Sequence, residues 1–191
     1  MSQQSTTPAG EGEGINASDT PYSSASIETA LLHGLLAYPA RLVCELVAGL
    51  ERKDFADDDH YEICALIAAN AREVAQQAPE DHLDPARVQA QLRGAGKLTE
   101  SMAHKLLAVA STGRPPVSPV EVGELIAALR LERTRRAMRI AADGLHAAAG
   151  NGSTTDMAKA IADAAYLTVL ADRAGVSMAR LRAVDAVKGV A

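Results

Sequence analysis

Residues 94–99, Gly-Ala-Gly-Lys-Leu-Thr, superficially resemble a loop that binds the phosphates of a nucleotide. The loop of nucleotide hydrolases reads G-x-x-x-x-G-K-[ST], because the hydroxyl group directly after the lysine holds Mg²⁺. In this chain Leu98 follows Lys97, Gln91 takes the place of the first glycine, and the sequence predicts no strand before the loop. We therefore interpret the two glycines as the end of a helix, and we expect that the chain does not hydrolyse nucleotides.

His60 and Cys64 stand four residues apart and could share one face of a helix. Two ligands do not make a zinc site, and the sequence contains neither C-x-x-C nor H-E-x-x-H. Cys64 falls within an apolar stripe, where a free cysteine behaves as a small hydrophobic residue. Residues 57–59, three aspartates, favour the start of a helix because the helix dipole attracts acidic side chains there. We expect no metal, no cofactor and no catalytic residue, so the chain is not predicted to be an enzyme.

The second half of the chain contains a run of five arginines: Arg130, Arg133, Arg135, Arg136 and Arg139. On a helix with about 100° per residue they spread around much of the cylinder, whereas a surface that follows phosphates needs them on one face. This spread favours a solvated helix with pairs such as Glu132–Arg136, four residues apart. Salt bridges at an interface and weak contact with nucleic acid are the alternatives.

The composition excludes several classes of protein. The chain has 191 residues, of which 48% are hydrophobic, 3% are aromatic and 39 are alanine. Alanine favours helices and disfavours strands, so we predict an all-α fold: a compact multi-helix head followed by a long helical hairpin. The net charge of −5 argues against a dedicated nucleic-acid clamp. Neither a membrane span nor a secretion signal is apparent, so we expect a cytoplasmic protein.

Breaks in the sequence divide the chain into four segments. Residues 1–25 are polar and acidic and are predicted to be a disordered tail. Residues 26–113 contain five short helical patterns that form the predicted head, beginning with Ser26 as a cap. A glycine- and proline-rich break then leads to the predicted hairpin, residues 114–175, with helices over 119–149 and 155–174. Residues 176–191 are predicted to be a tail or a linker.

The predicted hairpin carries apolar residues on more than one face. They are Leu125, Ile126, Leu129, Leu131, Met138, Ile140 and Leu145 on the first arm, and Met157, Ile161, Ala164, Ala165, Leu167 and Leu170 on the second. A hairpin that projects from a head leaves such apolar area exposed unless another surface packs on it. Self-association is the simplest explanation, and tight packing within a monomer is the alternative.

Six weak motifs occur in an order and with spacings that resemble the N-terminal domain of DnaB-type replicative helicases. They are Ile27–Leu36 followed by Tyr38-Pro39, Lys53-Asp54-Phe55 before His60, Asp84–Val88 with Leu92, Gly96-Lys97-Leu98, Ala110–Gly113 with Pro116, and the helix from Glu124 to Arg136. The resemblance covers about residues 26–174. The segment Thr99–His104 departs from the family pattern of Gly-Gly-x-x-Tyr, and no motor domain follows.

The resemblance implies a module for assembly and recruitment in DNA replication. In that family the domain is a helical head with a hairpin, hairpins pair, and three pairs build a collar that engages primase and, in some systems, a loader. Nucleotide and most DNA contacts belong to the motor domain. The expected partners are therefore further copies, as a dimer or hexameric collar, and a replicative helicase, primase or loader, with weak or indirect DNA contact. The expected interface residues are Leu125, Leu129, Arg133, Arg136, Ile161 and Leu167.

Two other interpretations remain open. The helicase-binding end of a primase has a related fold, although it normally follows a catalytic core. A small α-helical regulator that binds nucleic acid is the second, and it would use the arginines of residues 130–139 together with Arg180 and Arg182. The affinity of such a regulator would fall steeply as salt is added.

Overall fold

The computed structural model describes residues 24–111 and 117–176, and within these ranges it contains seven α-helices, one 3₁₀ turn and no strand. In chain order they are α1 (Ser24–Leu36), α2 (Ala40–Val47), the 3₁₀ turn (Arg52–Asp54), α3 (Asp58–Gln77), α4 (Pro85–Gly94), α5 (Glu100–Ala110), α6 (Pro119–Asn151) and α7 (Thr154–Arg173). The predicted all-α fold is confirmed. The predicted acidic tail up to residue 23 and the predicted C-terminal tail from residue 177 lie outside the described residues.

Polar side chains start five of the described helices by accepting a hydrogen bond from a backbone N–H of the first turn. The capping residues are Asp57, Asp84, Thr99, Ser118 and Ser153. The last two form capping boxes, in which an acidic side chain three residues later accepts from the backbone of the cap. The sequence predicted the aspartates of residues 57–59 as a helix start, because capping depends on local chemistry.

The head is built around α1, whose Leu31, Leu32 and Leu35 are fully buried. Burial of each such side chain stabilises the fold by roughly 1.5–3 kcal/mol. The residues that surround them come from all other helices of the head: Val43 and Val47 of α2, Ile63 and Ile67 of α3, Val88 and Leu92 of α4, Met102, Leu106 and Val109 of α5, and Val122, Ile126 and Leu129 of α6. Gly34 lets α1 approach α6, since a Cβ atom there would lie 2.9 Å from methyl groups of Val117 and Val122.

The first half of α6 belongs to the head, which corrects the predicted boundary at residues 113 and 114. Val122, Ile126 and Leu129 are buried in the same core as the leucines of α1. The head therefore consists of α1–α5 together with residues 119–133 of α6. The glycine- and proline-rich break lies between two helices, whereas the core continues into the second of them as far as Leu129.

Residues 134–151 of α6 and the whole of α7 form the hairpin. The arms run antiparallel and turn at Gly152, as the sequence predicted. The hydroxyl group of Thr134 donates to the carbonyl oxygen of Leu170 across the arms, at 3.3 Å. The other buried side chains of the arms are Ala141 and Ala148 of α6 and Ala160, Leu170 and Ala171 of α7, and all of them except Leu170 are small.

Helix boundaries differ from the predictions by a few residues. Ser26, the predicted cap, lies inside α1 rather than at its start, and α2 ends at Val47. Gly49, with φ of 82°, follows α2 in a conformation that favours glycine. The long helices end close to the predicted positions.

Candidate functional site

The hairpin exposes large apolar side chains on both arms. Met138 of α6 is 54% exposed and Ile161 of α7 is 64% exposed, and Leu145 and Met157 are also exposed. Leu131, at the base of α6, is half-buried. We call these five residues the hairpin face. Exposed apolar residues that occur singly are ordinary, whereas residues that line up on one face of two packed helices indicate a surface for association.

The residues of the hairpin face on α6 follow a heptad spacing. Leu131, Met138 and Leu145 are seven residues apart. Three residues after each of them stand Thr134, Ala141 and Ala148, which are buried towards α7. Alternating steps of three and four residues are the pattern of helices that pack side by side in coiled coils. In this hairpin the small residues of the pattern contact α7, and the large ones lie beside that contact.

The apolar residues of both arms lie on the same side of the hairpin. A helix turns by about 100° per residue. Viewed along α6, Leu131, Met138 and Leu145 are therefore rotated by about 60° from the residues buried against α7. Viewed along α7, Met157 and Ile161 are rotated in the same sense by about 80° from the residues buried against α6. Because the arms are antiparallel and both right-handed, equal rotations away from the shared contact bring the two stripes to one side. The hairpin face is therefore continuous across both arms, on the side opposite to the head-facing line of α6.

A shallow cleft occupies the other side of the hairpin near its tip. Its volume is about 320 Å³. Its lining is made of Gly144, Ala147, Ala148, Gly152, Asp156, Lys159, Ala160 and Asp163. Ile140, which is 70% exposed, lies at about the same angle on α6 as this cleft and not on the hairpin face. The two sides of the hairpin thus differ: one carries large apolar side chains, and the other carries small and charged ones.

The structure separates the six predicted interface residues into two groups. Ile161 is on the hairpin face, Leu167 of α7 is half-buried, and Leu125 is half-buried against the head core. Leu129 is 1% exposed within the core and Arg133 is 6% exposed. The fold of a single chain already buries these last two, and Arg136 is half-buried. That the six residues contact a partner stays a prediction.

Arg133 and its neighbours form a buried ionic network at the base of the hairpin. The fully buried Asp54 accepts hydrogen bonds from Arg133 of α6 at 2.9 Å and from Arg173 of α7 at 3.0 Å. Glu51 pairs with the same two arginines. Arg136 donates to the carbonyl oxygens of Lys53 and Asp54 at 3.1 and 2.8 Å. We call Glu51, Asp54, Arg133, Arg136 and Arg173 the hairpin junction.

The hairpin junction fixes the direction in which the hairpin leaves the head. A buried carboxylate is expensive to desolvate unless cations and N–H groups surround it, and here two guanidinium groups and the backbone N–H of Glu51 do so. Hydrogen bonds from Arg173 and then from Arg133 lower the pKa of Glu51 to about 2. Both arms are thus tied to one short segment of the head.

The remaining arginines of the run differ: one pairs within its own helix, one faces solvent, and Arg130 is half-buried, with its Nε buried and without a hydrogen-bond partner among the described residues. Arg135 pairs with Glu132, three residues before it, so the predicted Glu132–Arg136 pair does not form. Arg139 is exposed. Two of the five arginines are therefore bound within the hairpin junction and a third pairs within its own helix, which leaves little positive charge on the surface for phosphate groups.

A buried acid–histidine pair lies beside the hairpin junction, and sequence reasoning missed it. Nδ1 of His60 lies 2.8 Å from a carboxylate oxygen of Glu28, and the backbone N–H of Ala56 donates to the other oxygen at 2.6 Å. The pair joins α1 to α3 and to the loop after the 3₁₀ turn. Cys64, four residues after His60, is buried in the core as predicted, and burial raises the pKa of its thiol to about 12.

The loop of residues 94–99 serves as a helix connection. Gly96 has φ of 67° after the end of α4, and Thr99 caps α5. The ammonium group of Lys97 pairs with Glu62 of α3 at 2.6 Å. Within residues 24–111 and 117–176, no group of three or more His, Cys, Asp and Glu side chains is placed to hold a metal ion.

Comparisons with known proteins identified no relative of the chain. No family model matches the chain, and neither a curated protein nor a solved structure matches it. Of the helices in the described ranges, none combines the length and the apolar character that crossing a membrane requires. Conclusions about function therefore depend on the geometry of the hairpin and on the motifs in the sequence.

Proposed function

We propose that this protein is an α-helical assembly module whose hairpin face packs against a second copy of the chain and whose role is in DNA replication. The observation that carries the first part is the continuous apolar face across α6 and α7. The replication role is supported by the resemblance of residues 26–174 to the N-terminal domain of DnaB-type helicases. In this proposal the paired hairpins form a dimer or a hexameric collar.

The dimensions of the hairpin suit such a contact. α7 has 20 residues, so each arm is roughly 30 Å long, and two packed helices are roughly 20 Å wide. The resulting face of about 600 Å² is close to the roughly 800 Å² per partner that a specific interface buries. A pair of hairpins that buries Met138, Leu145, Met157 and Ile161 would form an antiparallel bundle of four helices.

The proposed partners outside the chain are a replicative helicase, a primase or a loader. Fixed geometry supports a recruiting role, since the buried hairpin junction holds the hairpin in one direction relative to the head. A module of this kind acts by binding, and its effect on a helicase ring depends on whether it adds to the collar or replaces one of its members.

The alternative function, a regulator that binds nucleic acid, has weaker support. It needs several arginines on one accessible surface, and Arg133, Arg135 and Arg136 already have partners within the chain. The net charge of −5 also opposes attraction to phosphates. No observation in the described part of the chain specifically favours it.

A binding experiment with matched variants tests the replication role. The purified replicative helicase and primase of the source organism are each titrated onto the immobilised chain, its Ile161→Glu variant and its Val169→Glu variant. Val169 is exposed on the same helix but points away from α6 and from the hairpin face, so it is the control. We expect the wild type and Val169→Glu to bind the helicase equally and Ile161→Glu to bind at least about ten-fold more weakly.

The same experiment has two contradicting outcomes. Absence of binding to both proteins by the wild-type chain would overturn the replication role. Equal weakening by both variants would show that the hairpin face is not the binding surface. Retention of nucleic acid with an affinity that falls steeply with salt would instead support the regulator.

A further inference from the structure

The two arms of the hairpin are held in unequal ways. α6 is anchored in the head by Val122, Ile126 and Leu129, which are buried in the common core. None of the buried residues described for α7 belongs to that core; they are Ala160, Leu170 and Ala171. Two of these three side chains are alanines, which remove little apolar surface from water, so Leu170 provides most of the apolar burial of α7 against α6 and offsets only part of the entropy of ordering twenty residues.

The base of α7 is tied to the head through one side chain. Among the described residues, Arg173 makes every hydrogen bond and ion pair that joins α7 to the head. Its guanidinium group donates to the carbonyl oxygen of Gly49 at 2.6 Å and to Asp54 at 3.0 Å, and it pairs with Glu51. By contrast α6 keeps Arg133 on the same acids even without Arg173.

The tip provides a place where α7 can turn. Gly152 and Ser153 connect the arms, and the capping box of Ser153 with Asp156 starts α7 independently of α6. A helix that carries its own cap, and whose buried contacts are Leu170, two alanines and one arginine at its base, can leave as a unit.

We propose that α7 is a detachable arm that Arg173 latches to the head, and that pairing of hairpin faces holds the arm closed. This inference rests on the proposed self-association. In the closed state Met157 and Ile161 stand beside Met138 and Leu145, so a second copy finds the complete face. In the open state the α7 half of the face is lost and the small residues of α6 are exposed. Because the partner binds the closed state better, association shifts the equilibrium towards closure.

Hydrogen exchange measured by mass spectrometry tests the latch in the full chain. In dilute monomer we expect the amides of residues 154–173 to exchange at least about ten-fold faster than those of residues 119–133. Arg173→Gln should accelerate exchange in α7 by a further ten-fold or so and leave residues 119–133 unchanged, because α6 keeps Arg133. Arg173→Lys should fall between them. Lys159→Gln, which removes an exposed cation from the same helix, is the control.

The contradicting results are equally specific. Equal exchange rates in α7 and in residues 119–133, or equal acceleration of both by Arg173→Gln, would overturn the detachable arm. Sedimentation of the same samples separates this inference from the proposed function. If exchange in α7 slows as dimers form, the coupling is supported. A chain that is monomeric at every concentration overturns both the coupling and the proposed self-association, while the comparison with Arg173→Gln in monomer still decides whether Arg173 is a latch.

Discussion

At the scale of single residues, the hairpin junction places buried charges of opposite sign between the head and the hairpin. Asp54 is fully buried and Arg133 is nearly so, and the two form an ion pair that neutralises both buried charges. Such a pair contributes to specificity more than to net stability, because desolvation of both charges opposes their attraction. We infer that the junction sets the direction of the hairpin, whereas the apolar core of the head supplies the stability.

Glu51 makes the stability of the protein depend on pH in acid. Its pKa is about 2 in the folded chain, because Arg173 and Arg133 donate to it, against an ordinary value of 4.5. The contribution of this carboxylate is therefore complete above about pH 4.5 and is lost as the pH falls towards 2. We expect the free energy of unfolding of the wild type to fall more steeply over this range than that of Glu51→Gln.

Urea denaturation of both proteins at several pH values measures this difference. The effect is modest, since Glu51 is half-exposed and solvent screens its charge. Parallel pH profiles for the two proteins would contradict the ion pairs of Glu51 with the arginines.

At the scale of helices, the turn between the arms depends on one glycine. A Cβ atom at Gly152 would lie 2.6 Å from the Cα and carbonyl oxygen of Ala148, and these are backbone atoms that cannot move aside freely. We expect Gly152→Ala to lower the free energy of unfolding by about 1–3 kcal/mol, as overpacking does. Urea denaturation monitored by circular dichroism measures it.

Gly144 provides the control for this substitution. It lies within α6, and a Cβ atom there would meet nothing within 4 Å. Gly144→Ala should therefore stabilise the helix, by up to about 1 kcal/mol, because alanine has the higher helix propensity. Equal effects of the two substitutions would show that the close approach at Gly152 does not hold.

The sequence predicted the helices well where local chemistry determines them. The helix start at the aspartates of residues 57–59 and the bounds of the two long helices, each within two residues of the prediction, follow from capping and from glycine, which act over a few residues. The boundary between head and hairpin was missed, since membership of α6 in the core depends on packing against α1. Helical periodicity identifies an apolar face, but it does not say which of several neighbours covers that face.

The candidate site shows the same division. Ile161 could be predicted, because an exposed apolar residue on a polar helix stands out in the sequence. The hairpin junction could not, because Asp54 lies 79 residues from Arg133 and 119 from Arg173. The Glu28–His60 pair joins residues 32 apart for the same reason. The tertiary fold determines which buried charges pair, so the spacing of residues along one helix does not predict these pairs.

At the scale of the whole molecule, an anchored head carries a hairpin that is apolar on one side. The apolar residues of the head are buried within one chain, whereas no described residue packs over the exposed side chains of the hairpin face. The association that we propose through this face would link the structure to the proposed role in replication. The identity of the external partner stays a prediction from the sequence motifs.

Sedimentation velocity of the full chain and two variants tests this association most directly. Met138 lies on the hairpin face, and Ile140, two residues later and more exposed, lies on the opposite side. We predict that the wild type and Ile140→Glu form dimers or larger assemblies at concentrations up to about 100 µM, and that Met138→Glu remains monomeric. A monomeric wild type, or the same behaviour of the two variants, would contradict assembly through the hairpin face.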